Sequence, residues 1–224
     1  MVFRDRAEAG RLLAAKLESY RDDASGLILA LPRGGVAVGY EISLELHLPM
    51  DVFVTRKLSM PDNPEYAIGA VSETGAIYLN VEAVEAFHLS HSDLDVSIAS
   101  ARYEIARRQQ RYRSGLALPP LADRTVILVD DGIATGATFF ATVEALSEQS
   151  PRRLVAAVPI APVDNITPLR GRVDELIVLA TPEPFIAVGQ HYHAFPQVDD
   201  EQVLEYLNAA RQSLSSHVPP RGAI

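Results

Sequence analysis

Apolar and polar positions along this chain follow two periods that take turns. Residues 5–21 set Ala9, Leu12, Leu13, Leu17 and Tyr20 at helical spacing behind Asp5, a residue type suited to an N-cap, which predicts an amphipathic helix. GLILALPRGG then reads as a short buried strand over 27–31, stopped by Pro32 and two glycines, before VAVGYEISLEL resumes the helical period. DVFVTR predicts a second strand at 51–56. After it, KLSMPDNPEYAIGAVSETGAIYLN carries two prolines and ends in two short β-like runs around Glu73, Thr74 and Gly75, a long loop followed by a hairpin. From Ser92 to Gly115 one helical face collects Leu94, Ile98, Ala101, Ile105 and Tyr112, with Ser92 and Asp95 at capping-box spacing. Three further strands are expected at 126–130, 154–159 and 175–180. VDDEQVLEYLNAARQS predicts a last helix whose Asp199, Asp200 and Glu201 suit its positive N-terminal end.

Strands alternating with helices make a mainly parallel sheet covered on both faces, so the expected fold is a three-layer α/β/α arrangement with a small hood near residues 181–198. No repeat, low-complexity tract or linker divides the chain. Residues 1–213 are therefore expected to form a single domain and 214–224 a flexible tail. Charge narrows the partners: 20 basic against 29 acidic residues give a net charge of −9, without the basic footprint that duplex nucleic acid demands. Cysteine is absent, which excludes disulfides and thiolate chemistry. The N-terminus lacks a signal-peptide core and no apolar run approaches the ~20 residues of a membrane span, so a cytoplasmic protein is expected.

The chemistry concentrates in VILVDDGIATGAT. Asp130 and Asp131 stand where a parallel strand ends, the sheet edge at which α/β proteins bind ligands. Gly132, Ala134, Gly136 and Ala137 let backbone N–H groups approach a ligand, Thr135 and Thr138 add hydroxyls, and the next helix aims its positive end at the loop. Such a loop fits a phosphate, and the acids fit hydroxyl groups or a metal, so a sugar phosphate matches both. A hairpin at Asp131-Gly132 would need a following strand, whereas ATFFATVEALSEQ has helical spacing. The loop holds no lysine for a nucleotide P-loop, and the chain has no G-x-G-x-x-G.

This stretch resembles the phosphoribosyl-pyrophosphate signature of the type I phosphoribosyltransferases. The resemblance implies that Asp130 and Asp131 hold the ribose hydroxyls. It gives the 5′-phosphate to Ala134, Thr135, Gly136, Ala137 and Thr138. Two positions depart from the family's pattern. Gly132 stands where a bulky aliphatic is common, which would loosen the loop. Ala134 stands where the 6-oxopurine enzymes carry an aspartate that assists at the base, while adenine-type members also have alanine. LPRGGVAVG is similar to the family's pyrophosphate loop, with Arg33 as a fork of donors, Gly34 and Gly35 exposing N–H groups, and a non-proline cis peptide expected between Pro32 and Arg33. Arg56 and Lys57, expected to close the second strand, resemble an Arg-Lys pair of adenine-type enzymes and place Lys57 on the leaving pyrophosphate. The segment beyond, with Glu65 and Tyr66, has the character of a lid.

The resemblance thus implies Mg²⁺-dependent transfer of a phosphoribosyl group from phosphoribosyl pyrophosphate to a nitrogen acceptor, with Arg33, Lys57, Asp130 and Asp131 as catalytic residues. Mg²⁺ would arrive with the donor, the partners would be small molecules, and a homodimer stays open. A different class of reading keeps the same loops in a sensing module without turnover, and a third uses the donor site hydrolytically. Phe185 is the candidate to stack on a base, or it packs a small core. His191 with His193 and His88 with His91 could each give two metal ligands, but neither pair has a third. Arg107, Arg108, Arg111 and Arg113 read as a solvated face at a helix C-terminus.

Overall fold

Near-continuous apolar runs need burial on both faces, and five of the strands lie side by side in one parallel sheet whose central strands find it. The computed structural model describes residues 1–60 and 63–217. In the sheet, β1 (Gly26–Ala30), β2 (Met50–Val52), β6 (Thr125–Val129), β7 (Arg153–Ile160) and β8 (Glu175–Ala180) lie in the order β2-β1-β6-β7-β8, every neighbouring pair parallel. All five residues of β1 and of β6 are buried. Helices α1 (Arg6–Lys16), α2 (Gly34–Leu46), α6 (Val163–Arg170) and α7 (Asp200–His217) belong to the same compact unit, formed by Met1–Val52, Leu121–Ala134 and the chain from Pro151 onward. The α/β class is the one the sequence pattern predicts.

Register decides where the loops that follow β1 and β6 emerge. Ala30 on β1 pairs with Val129 on β6, and the Leu31 N–H continues the ladder to the Val129 carbonyl at 2.9 Å. The chain leaving β1 toward Arg33 and the chain leaving β6 toward Asp130 therefore start level and adjacent. From β1 the chain runs to β2 on one side, while β6 lies on the other, which makes this pair the switch point of the sheet.

The second unit, Phe53–Pro120 with Thr135–Ser150, holds an antiparallel sheet of β3 (Thr55–Met60), β4 (Asn63–Ser72) and β5 (Ile77–Leu79). It also contains α3 (Val81–Ala86), α4 (His91–Arg113) and α5 (Ala137–Ser147). The α4 face expected to be apolar does point inward: Leu94, Ala101, Ile105 and Tyr112 are buried and Ile98 is half-buried. α4 packs on β3, and α5 joins the same sheet through Thr142, whose hydroxyl lies 2.8 Å from that of Thr55. Among the described residues no helix is long and apolar enough to cross a membrane.

Several expectations change. DVFVTR is two strands, because the chain leaves the parallel sheet after Val52 and begins β3 only at Thr55, with Val54 N–H bonded to the Glu73 carboxylate at 2.7 Å. The Pro-bearing stretch after Lys57 is mostly β-hairpin, with register shifts around Ser59, and the side chains of Glu65 and Tyr66 lie outside the described residues. Its turn at Glu73 to Gly75 forms as expected. α4 begins at His91, which puts Ser92 inside the first turn rather than before it. α3, capped by the Asn80 side chain on the Ala83 N–H, was not foreseen. α7 continues to His217, four residues past the helix end expected at Ser213.

Candidate active site

The N-terminal segment is laced to the hood. Phe3 N–H donates to the His191 carbonyl and the Phe3 carbonyl accepts from His193 N–H, both at 2.8 Å, and Ala194 N–H bonds the Arg4 carbonyl at 2.9 Å. Asp5 then caps α1 by accepting from Glu8 N–H, so Arg6 becomes the first residue of the helix. Arg6 Nε donates to Asp131 Oδ2 at 2.8 Å and Nη1 to the Pro196 carbonyl at 2.7 Å, while its guanidinium lies 3.7 Å above the Phe195 ring. Tyr192, from the same hood, donates its hydroxyl to the Asp131 carbonyl at 2.6 Å.

Around these contacts the two carboxylates are packed closely. Asp131 N–H donates to Asp130 Oδ1 at 2.8 Å. Gly34 and Gly35 abut the pair from the β1 side: a Cβ at Gly34 would overlap the Asp131 carboxylate, and one at Gly35 would lie 2.8 Å from Asp130 Cα. Only glycine permits that approach. Burial, then the charge of Asp131, pushes the Asp130 carboxyl well above the ordinary carboxylate range. Burial also raises Asp131, with Arg6 pulling the other way. Among the described residues the two acids thus meet one guanidinium, that of Arg6, which leaves a net demand for hydrogen-bond donors or a further cation.

Helix caps separate the loops by chemistry. α1 and α3 receive side-chain caps from Asp5 and Asn80, and α7 a reciprocal one in which Gln202 N–H bonds Asp199 and Asp199 N–H bonds the Gln202 side chain. α2 begins at the Arg33 loop, and α5 at Gly136 in the left-handed region with φ of 84°, both without a side-chain cap. α6, behind Pro162, also begins without one. Orphan N–H groups at such starts are ready for an anion. The Pro32–Arg33 peptide is cis, as expected for this loop. Arg33 is about one-third exposed, with Asp200 at 4.0 Å.

The predicted residues do not all lie where the sequence suggested. Arg33, Gly34, Gly35, Asp130 and Asp131 come together in the first unit. Thr135, Gly136, Ala137 and Thr138 start α5 in the second, with Thr135 exposed and Gly136 buried. Lys57 is the third residue of β3 in the antiparallel sheet, half-buried beside exposed Arg56, and not the end of a parallel strand. Gly132 does not loosen its loop. It is buried under Val188 and Ile160, which fill the space an aliphatic side chain would take, and Ile133 N–H bonds the Ile160 carbonyl at 2.8 Å. Ala134 is exposed, its carbonyl accepting from Asn165 Nδ2 at 3.2 Å. Phe185 packs on the cluster of Phe3, Ala9, Ile160 and Tyr192 and stacks on His191 at 5.7 Å. Arg113 is not solvated but buried in an ion pair with Glu73. His91's side chain lies outside the described residues.

Arg6, Tyr192 and Phe195 were missed. For Arg6 a signal existed: a cation in the first turn opposes the helix dipole, so it calls for another partner.

The sequence profile of the phosphoribosyl transferase domain matches residues 5–177. The chain belongs to this family. Its phosphoribosyl transferase domain is 41% identical over 214 residues to proteins from two strains of Mycobacterium tuberculosis, each named "Putative phosphoribosyl transferase". That match takes in 96% of this chain and 48% of theirs, so the chain spans about half the length of these relatives. Among solved structures, TT1426 of Thermus thermophilus aligns with a TM-score of 0.77 at 39% identity, over 92% of this chain and 98% of that one. AQ2163 of Aquifex aeolicus shares the fold at 10% identity, with a TM-score of 0.50 over 82% of this chain and 78% of its own.

Proposed function

We propose that this phosphoribosyl transferase domain moves a 5-phosphoribosyl group from phosphoribosyl pyrophosphate to a nitrogen acceptor of the nucleobase kind, releasing pyrophosphate. The observation that carries the proposal is the packing of Asp130 and Asp131 against the uncapped helix start at Gly34 and Gly35. Acceptors of hydroxyl hydrogen bonds beside donors for an anion suit a sugar joined to a pyrophosphate. In this reading Asp130 and Asp131 hold the ribose hydroxyls, Ala134 to Thr138 the 5′-phosphate, and Arg33, Gly34, Gly35 and Lys57 the pyrophosphate.

The residues fit Mg²⁺ only in one manner. Among the described residues no group of three or more His, Cys, Asp or Glu could cage a metal. Two carboxylates instead suit an ion that keeps its waters and travels on phosphate oxygens. Bound there, it would neutralise charge building on the leaving group. The chain's own work is to orient the donor: Asp130 and Asp131 fix the sugar through its hydroxyls, and the guanidinium of Arg33 gives the departing oxygens donors in a set geometry. No covalent nucleophile is called for. Ala134 offers no acid to assist at a 6-oxopurine, which favours acceptors that need no such help.

Incubation with Mg²⁺, phosphoribosyl pyrophosphate and a panel of purine, pyrimidine and amine acceptors, with pyrophosphate release recorded, tests the reading. Release with one acceptor class is expected, lost in Asp130→Asn/Asp131→Asn. Tight donor binding without release for any acceptor would overturn the transferase and leave a sensing module. Donor affinity unchanged in the double variant would remove the ribose assignment.

A further inference from the structure

The second unit contains a cleft of about 470 Å³ beside the start of α5, within the ~300–1,000 Å³ range of small-molecule sites. One wall is Thr135 and Ala137, from the loop assigned above to the 5′-phosphate, with Phe140 one turn further along the helix. Tyr78, Asn80 and Val81, from β5 and the start of α3, line it as well. A phosphate on the loop amides would fill a small part of this space and leave the rest lined by two aromatic rings, Tyr78 and Phe140, and the aliphatic side chains of Leu79 and Val81. Val81 is 62% exposed although apolar. Asn80 uses its amide oxygen to cap Ala83 N–H at 3.1 Å, so what it has to offer a ligand is its NH₂ group, a donor.

These features specify more than an anion. We propose that the cleft receives an aromatic ring carried on the 5′-phosphate, the ring lying against Tyr78 and Val81 with an acceptor on its edge toward Asn80. The loop then takes, beside the donor, a second ligand class: ribosyl phosphates esterified at the phosphate, as in pyrophosphate-linked dinucleotides. The proposal rests on the assignment of residues 134–138 to the 5′-phosphate, and its test keeps the two apart.

Calorimetric titration of the whole chain compares ribose 5-phosphate with ADP-ribose, which carries the same sugar phosphate extended by an adenosine phosphate. Stacking of one base on aromatic groups gives an expected gain for ADP-ribose of about tenfold. Tyr78→Ala and Val81→Asp should each reduce ADP-ribose to the level of ribose 5-phosphate and leave ribose 5-phosphate unchanged. Val81→Asp, at an exposed position, keeps the fold and serves as the second variant. Equal affinity of the two ligands, or a gain that survives both substitutions, overturns the cleft while the loop assignment stands. Failure of both ligands to bind overturns the loop assignment and the proposal with it.

Discussion

Replacing Arg6 by methionine removes the cation that offsets the buried acids while keeping most of the side-chain volume. The side chains of Arg6 and Asp131 are 10% and 15% exposed and meet at 2.8 Å, so the pair is shielded from water. Removing one partner of such a pair costs about 3–5 kcal/mol, because the other charge stays buried alone. Methionine against the Phe195 ring returns ~0.3–1.5 kcal/mol as a sulfur–aromatic contact. The net loss expected is therefore about 3 kcal/mol, and adding Asp131→Asn should recover roughly 2 kcal/mol, since the carboxylate left without its partner is then gone. Urea unfolding of the wild type, both single variants and the double variant measures the coupling directly. Additivity within ~0.5 kcal/mol would show that the pair is not coupled and would refute the reasoning.

The pH dependence supplies a second check on the same variant. Burial raises the Asp131 carboxyl and Arg6 opposes it, so without Arg6 the folded state keeps its proton to higher pH than the unfolded chain does. Between the ordinary carboxylate value near ~4 and the raised folded value, the folded state binds more protons, and stability falls as pH rises. The deficit of Arg6→Met should thus be smallest near pH ~4 and grow toward neutrality. A deficit constant across that interval would assign the loss to packing alone.

Other outcomes follow from the same contacts. Asp130→Asn keeps an oxygen for the Asp131 N–H but removes a raised carboxyl, so the variant should melt higher than wild type at neutral pH and equally near pH ~4, while donor binding is lost. Gly35→Ala puts a Cβ 2.8 Å from Asp130 Cα and 2.9 Å from its Oδ1, for an expected ~1–3 kcal/mol of overpacking by denaturant titration, with weaker donor binding. Arg113→Met leaves buried Glu73 with its bonds from Val54 N–H and Gln109 but without its countercharge, which should lower stability by about 3–5 kcal/mol and leave donor affinity unchanged. Tyr192→Phe loses the hydroxyl bond to the Asp131 carbonyl, a loss of about 1 kcal/mol in thermal or denaturant unfolding.

The parallel sheet was legible because its strands are short and mostly apolar, so composition separates them from the helices between them. β8 was predicted to the residue and β1, β6 and β7 to within one or two. The antiparallel unit was not legible as a unit. Its boundaries at 52–53 and 134–135 fall inside continuous motifs with no Gly/Pro/Ser linker, and DVFVTR carries no mark of a change of sheet. The loops that the proposal assigns to the donor stand out in the sequence by small residues next to acids, since that combination has few structural uses. The partners of those acids do not, because Arg6 and Tyr192 lie 125 and 61 residues away and reach Asp131 only through the lacing of Phe3 to the hood.

Buried charge by itself does not distinguish a site from a brace, and this chain has both. Glu73 is buried, but its carboxylate meets Arg113, Val54 N–H and Gln109, so its charge is opposed and its lone pairs are used. Such a closed arrangement has no need of a ligand. Asp130 and Asp131 share one guanidinium, and Asp130 is the acid that burial and its neighbour's charge push furthest toward the protonated form. An unbalanced pair of this kind weakens the folded state and persists where something outside the chain restores the balance. Sugar hydroxyls would supply hydrogen-bond donors and a phosphate-borne cation would supply charge. Both belong to the Mg²⁺-bound donor proposed here, which would therefore relieve the imbalance at Asp130 and Asp131.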